Sequence, residues 1–130
     1  MAMNDPLAAV FAQIYNSEIK GKEECLVRLN SIFIQKVLNI LKLHNYIGDF
    51  ELINKERGGV LKIILLGNIN KCNVIKPRYA VSKNNFEKYE KRYLPAKGFG
   101  IIIVSTSKGL MTHEEAIEKK IGGKLIAYCY

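Results

Sequence analysis

Gly100-Ile101-Ile102-Ile103-Val104-Ser105-Thr106-Ser107-Lys108-Gly109-Leu110-Met111-Thr112-His113-Glu114-Glu115-Ala116 is the stretch on which the fold of this 130-residue chain turns. An apolar run suited to a buried strand, Ile101–Val104, ends abruptly in Ser105-Thr106-Ser107-Lys108-Gly109. Thr112 and Glu115 then stand three apart, the spacing of a capping box, and predict a helix over Thr112–Lys120. Between strand and helix, one short loop offers three hydroxyls, a cation, a flexible glycine and backbone amides. Those groups together grip phosphate, ribose and base edges. The loop is therefore expected to hold a polar ligand, with a polyanion the best match.

Working outward, Gly122-Gly123 turns the chain into a closing strand, Lys124–Tyr130. Upstream, Phe86–Leu94 reads as a short charged helix ended by Pro95, and Val74–Tyr79 as a short strand. The turn-rich Gly67-Asn68-Ile69-Asn70-Lys71-Cys72-Asn73 makes a boundary. Before it, Asp5 can cap a helix whose first position is Pro6, with Leu7, Val10, Phe11 and Ile14 on one face and Gly21 at its end. Cys25–Leu29 reads as a strand. Ser31 caps a second helix with an Ile34, Val37, Leu38 and Leu41 stripe that stops near Asn45. Ile47–Ile53 and Val60–Leu66 are strands joined by a turn at Lys55-Glu56-Arg57-Gly58-Gly59. The expectation is an α+β protein: residues 1–66 a small α/β domain, residues 67–130 a basic, mainly β domain with a short helix.

Charge separates the halves as well. The chain carries 20 Lys+Arg against 12 Asp+Glu, a formal net charge of +8. Residues 1–66 hold 8 basic and 7 acidic side chains, whereas residues 67–130 hold 12 and 5. Such asymmetry raises a positive potential over the second half, as nucleic acid or an anionic surface requires. No segment approaches the roughly 18 apolar residues of a membrane span, and the opening Met-Ala-Met-Asn-Asp-Pro lacks a signal peptide's basic start and apolar core. Cys25, Cys72 and Cys129 are odd in number and widely spaced, as expected of reduced, packed thiols in a cytoplasmic protein.

Catalytic patterns fail on inspection. His113-Glu114-Glu115-Ala116-Ile117 begins like a zinc-protease helix but lacks the second histidine at Ile117. Two histidines and three scattered cysteines give no metal-ligand spacing, and both His44 and His113 read as surface or capping residues. No cofactor motif is present. Ser105-Thr106-Ser107-Lys108 fits the Ser-x-x-Lys pattern of acyl-transfer enzymes, without the companion Ser-Asp-Asn and Lys-Thr-Gly motifs. A Ser/Lys hydrolase acting through Ser105 or Ser107 is the enzymatic alternative to a non-enzymatic binding protein.

RNA chemistry fits more of the chain. Arg78-Tyr79 combines a guanidinium with a ring able to stack on a base, or else is a strand pair with Tyr79 on the core. Lys88, Lys91 and Arg92 share one helix face. Lys119, Lys120 and Lys124 flank the Gly122-Gly123 turn, within reach of phosphates beside the serine loop. Tyr128 and Tyr130 suit packing.

Ser105-Thr106-Ser107-Lys108-Gly109-Leu110-Met111-Thr112, with Glu115-Ala116 and Gly122-Gly123-Lys124-Leu125-Ile126-Ala127-Tyr128, closely resembles the small-subunit ribosomal protein family S-eight. The resemblance runs nearly end to end. Asp5-Pro6-Leu7-Ala8, Asn16 with Gly21-Lys22, and Tyr46-Ile47-Gly48-Asp49-Phe50-Glu51 match the family's first half. Asn70-Lys71-Cys72, Pro77-Arg78-Tyr79 and Arg92-Tyr93-Leu94-Pro95-Ala96 look like its archaeal and eukaryotic branch. Asn73 stands where close relatives have glycine, and Asn tolerates a left-handed backbone.

The resemblance implies an α/β N-terminal domain packed on a mainly β C-terminal domain, and a protein that is monomeric when free. It implies binding to the central domain of small-subunit rRNA early in assembly, within the cytoplasmic small subunit and beside other ribosomal proteins. The family's Ser-Thr-Ser-x-Gly loop maps onto Ser105, Thr106, Ser107 and Gly109, and its N-terminal RNA contact onto Asn4 and Asp5. Lys108, Arg78, Tyr79, Gly122, Gly123 and Lys124 complete the expected RNA face. Some family members also bind their own messenger RNA and repress its translation.

Overall fold

Proline at a first helical position costs no hydrogen bond, because that amide has no intrahelical partner. Helix α1 accordingly starts at Pro6 and runs to Ile19, burying Leu7, Val10, Phe11 and Ile14. The computed structural model describes residues 6–28, 31–53, 59–75, 78–96 and 99–130. Asp5, expected to cap α1, and most of the expected 55–59 turn lie outside them. At the end of α1, Lys22 N–H donates to the Ser17 carbonyl and Gly21 N–H to that of Glu18, both at 3.0 Å. Gly21 adopts φ 71°. This is the paired closure of a Schellman end, in which a left-handed residue lets the last carbonyls be satisfied.

The chain divides into two compact units, Met1–Ile69 and Asn70–Tyr130. In the first, β1 (Glu24–Val27) precedes α2 (Ile32–Leu43), followed by β2 (Ile47–Ile53) and β3 (Val60–Leu65). Ser31 Oγ accepts the Ile34 N–H at 3.1 Å and so starts α2, as an N-cap should. The helix stops where Asn45 turns left-handed at φ 63°, with Tyr46 N–H on the Leu41 carbonyl and Asn45 N–H on that of Lys42. The strands form an antiparallel sheet in the order β1-β3-β2. Cys25 and Val27 of β1, with Leu61, Ile63 and Leu65 of β3, are buried. That alternation gives the sheet one core face.

The second unit contains β4 (Cys72–Val74), β5 (Ala80–Val81), α3 (Phe86–Tyr93), β6 (Ile101–Thr106), β7 (Gly109–Thr112), α4 (His113–Glu118) and β8 (Gly123–Cys129). Its antiparallel sheet runs β4-β8-β6-β7, with β5 also paired to β8. The core gathers Ile75, Val81, Phe86, Leu94, Ile102, Val104, Met111, Ala116, Leu125 and Tyr128. With helices packed in a chain whose sheets are antiparallel, the protein is α+β.

Two expectations need correction here. The strand expected over Val74–Tyr79 is misplaced: β4 ends at Val74 and β5 begins at Ala80, so most of the expected span falls between two short strands paired with different parts of β8. Pro77 carries no N–H for a continuous ladder. Pairing is held up to Ile75, whose N–H reaches the Ile126 carbonyl, and resumes where the Tyr79 carbonyl accepts from Leu125. Asn73 is a β4 residue opposite Tyr128, and its backbone is not left-handed.

Candidate nucleic-acid interface

The polar stretch after Val104 is a β-hairpin, not the open loop expected from sequence. Ser105 and Thr106 finish β6, Ser107-Lys108 is the two-residue turn, and Gly109 opens β7, directly opposite Thr106. Gly109 has φ 110°, a conformation readily available only to glycine. No neighbouring atom would touch an added Cβ there, so backbone geometry is what requires the glycine. Thr106 holds the turn together. Its hydroxyl donates to the Gly109 carbonyl at 2.8 Å and accepts the Lys108 N–H at 3.1 Å. The exposed groups left at the tip are the Ser105 and Ser107 hydroxyls and the Lys108 ammonium.

Register brings the C-terminal residues alongside. Lys124 of β8 lies opposite Ser105 on one side and Ala80 of β5 on the other, and Gly123 lies opposite Thr106 and Val81. Directly opposed residues project to the same sheet face, so the Lys124 ammonium and the Ser105 hydroxyl share an exposed face. Gly122 and Gly123 serve close packing. A Cβ on Gly123 would collide with the Ser105 carbonyl oxygen, and one on Gly122 with that of Val81. Arg78 is exposed and Tyr79 half-buried at the approach to β5. The Tyr79 ring lies 5.7 Å from that of Tyr89, with the Arg92 guanidinium 5.5 Å from its centroid. The structure thus joins Ser105, Ser107, Lys108, Gly109, Gly122, Gly123 and Lys124 in one strand-end cluster. Asn4 and Asp5 lie outside the described residues.

A family model described as Ribosomal protein S8 matches residues 5–130. The chain belongs to that family. Ribosomal protein S8 is a structural, RNA-binding component of the small ribosomal subunit that contacts rRNA and neighbouring ribosomal proteins, and its family is non-enzymatic in general. The match covers both compact units, so the hairpin is set in the framework of a ribosomal protein.

Sequence reasoning missed what lies beneath the hairpin. His113, read from sequence as a surface or capping residue, is fully buried, and Glu90 of α3 is 7% exposed. The reason is topological. The β6–β7 ladder ends at Ile103 opposite Thr112, where the chain leaves the sheet to form α4. His113 Nδ1 then accepts the Ile102 N–H at 3.1 Å, standing in for the strand carbonyl that is no longer there. With Nδ1 an acceptor, the neutral ring carries its proton on Nε2, which lies 3.3 Å from Glu90 Oε1. Thr112 caps α4 by accepting the Glu115 N–H at 3.3 Å.

On α3, Lys91 and Arg92 each have a neighbour within the protein. Lys91 pairs with Glu87 at 3.8 Å, and the Arg92 guanidinium also lies 5.6 Å from the Tyr93 centroid. Burial pushes the Tyr93 phenol above its ordinary pKa, with the Arg92 charge opposing. Tyr93, Tyr128 and Tyr130 pack in series, with centroids 5.3 and 6.2 Å apart. Among the described residues no cluster of His, Cys, Asp and Glu could hold a metal ion, and no helix is long and apolar enough to cross a membrane.

Proposed function

We propose that this protein binds the central domain of small-subunit rRNA through the tip of the β6–β7 hairpin and supports early assembly of the cytoplasmic small subunit. One observation carries the reading. Thr106 and Gly109 shape the turn internally, so Ser105, Ser107 and Lys108 are presented ready-made, with Lys124 beside Ser105. An RNA duplex hides its major-groove edges and offers its shallow minor groove, 2′-hydroxyls and local irregularities. Small hydroxyl side chains on a tight turn can approach such a surface and either donate or accept. Lys108 and Lys124 supply phosphate contacts, which add affinity without sequence choice. Arg78 and Tyr79 extend the face, and the family resemblance adds Asn4 and Asp5 as a further RNA contact. The Asn70-Lys71-Cys72 and Pro77-Arg78-Tyr79 segments favour the archaeal and eukaryotic branch. Repression of its own messenger would use the same hairpin, so a messenger hairpin and rRNA would compete.

The test is a salt titration of binding to a central-domain rRNA hairpin and to a scrambled duplex of equal length. Specific recognition predicts a preference for the true hairpin that survives moderate salt. Lys108→Ala should weaken both RNAs alike and reduce the salt slope by about one counterion. Equal, steeply salt-dependent binding to both RNAs would mean that the net charge alone is responsible.

A further inference from the structure

Cys72 and Cys129 face one another across β4 and β8. They are directly opposed in register, both are thiols, and their exposures are 6% and 0%. The hydrogen bonds around them fix the type of pair. Lys71 and Tyr130 exchange both backbone bonds at 2.9 Å, and Ile75 N–H reaches the Ile126 carbonyl at 2.9 Å. In an antiparallel ladder such bonded pairs alternate with non-bonded ones. Cys72 opposite Cys129 is therefore a non-hydrogen-bonded pair, where Cα atoms approach to about 4.5 Å and side chains lie closest. That separation falls within the roughly 4.4–6.8 Å over which disulfides span Cα atoms. Cys25 sits on β1 opposite Ile63 and faces no cysteine in its own sheet.

We propose that Cys72 and Cys129 form a redox modification site, converted by a low-molecular-weight disulfide into a reversible cross-strand disulfide. The chemistry is two successive thiol–disulfide exchanges. The Cys72 thiolate attacks the small disulfide, its proton going to solvent and one small thiolate leaving. The Cys129 thiol gives its proton to solvent, and its thiolate then attacks the Cys72 sulfur of the mixed disulfide, forming the Cys72–Cys129 bond as the second small thiolate leaves. Overall the two protein thiols lose two electrons and two protons, and one small disulfide becomes two small thiols. The crosslink staples β4 to the central strand β8. It sits at the opposite end of β8 from Lys124, so the proposed RNA face stays uncovered.

The test is equilibration of the full chain in glutathione redox buffers, approached from both the reduced and the oxidised side, in native buffer and in concentrated urea. Acid quenching, alkylation and peptide mapping identify the bonds. The expected product has lost two hydrogens in mass, links the Cys72 and Cys129 peptides, and leaves Cys25 open to alkylation. Because folding holds the pair in register, the effective thiol concentration in native buffer should exceed that in urea at least about 100-fold. Cys129→Ser should give only a mixed disulfide at Cys72. Equal constants in buffer and urea, a crosslink to Cys25, or mixed disulfides alone in the unmutated chain would overturn the proposal. Reading equilibrium instead of rate keeps slow access to buried thiols from hiding the result.

Discussion

Thr106→Val separates the group that builds the hairpin from the groups proposed to touch RNA. Valine keeps the β-branched shape and the strand preference, and removes only the hydroxyl. Its two short hydrogen bonds go with it, the 2.8 Å bond to the Gly109 carbonyl and the 3.1 Å bond from the Lys108 N–H, along with a weak 3.9 Å contact to Met111 Sδ. Each would be worth about 0.5–1.5 kcal/mol net. Thr106 is only half-buried, so water can replace part of both, and the expected total is about 1 kcal/mol. Affinity for RNA should fall only by the cost of re-ordering the turn, at most that same 1 kcal/mol, or about fivefold. Ser107→Ala should behave in the opposite way. Its side chain is exposed, so stability stays the same, while a lost contact to RNA costs about 1–3 kcal/mol of specific affinity. Urea unfolding and hairpin binding, measured on both variants, give four numbers that must follow this crossed pattern. A Thr106→Val protein of unchanged stability that has lost more than about tenfold in affinity would refute the argument, because its hydroxyl would then be an RNA contact.

Three further outcomes are expected. His113→Ala leaves the Ile102 amide without its buried acceptor and opens a cavity, so urea unfolding should show a loss of about 3 kcal/mol or more; a loss under about 1 kcal/mol would mean the ring is not the acceptor described. Lys120 ends α4 at φ 58°, with Ile121 N–H on the Ala116 carbonyl, so Lys120→Gly should relieve a left-handed penalty and stabilise by about 1 kcal/mol in thermal melts. Glu18 is pushed above the ordinary carboxylate pKa by burial, with the Gly67 N–H pulling the other way. A raised folded-state value makes the native state bind the proton more tightly, so this contribution to stability is complete at acid pH and is lost as pH rises through that value. The stability of Glu18→Gln relative to the unmutated chain should therefore grow from acid to neutral pH, and a difference that stays flat or shrinks would contradict the assignment.

Helix ends were legible in the sequence because their causes are local. Ser31, Thr112 and Gly21 act on backbone groups within one turn of themselves, so residue type and spacing suffice. Strand β7 was not legible. Gly109-Leu110-Met111-Thr112 follows a run of small polar residues, and a two-residue turn has the same composition as an open loop. Only the pairing of Thr106 with Gly109 distinguishes them. His113 was misjudged for a related reason. Its neighbours in sequence are acidic and helical, whereas its burial comes from Ile102 and from Glu90 on a different element. A histidine at the point where a strand becomes a helix is the signal that was available, because the strand loses a backbone acceptor there.

The same distinction bears on how the candidate site works. Of the residues singled out from sequence, Ser105, Ser107, Lys108 and Lys124 present side chains to solvent, while Thr106, Gly109, Gly122 and Gly123 act on the protein itself. Gly123 lets β8 run against the Ser105 carbonyl, and that close approach sets Lys124 beside Ser105. Gly109 supplies the backbone angle after the turn, and Thr106 ties both ends of the turn together. Beneath them, His113 completes the hydrogen bonding of β6 where β7 departs. A ligand surface made from small hydroxyls has little reach of its own, unlike one made from long arginines. Its selectivity must come from holding those hydroxyls at fixed positions. Half of the motif is therefore spent on holding the other half in place.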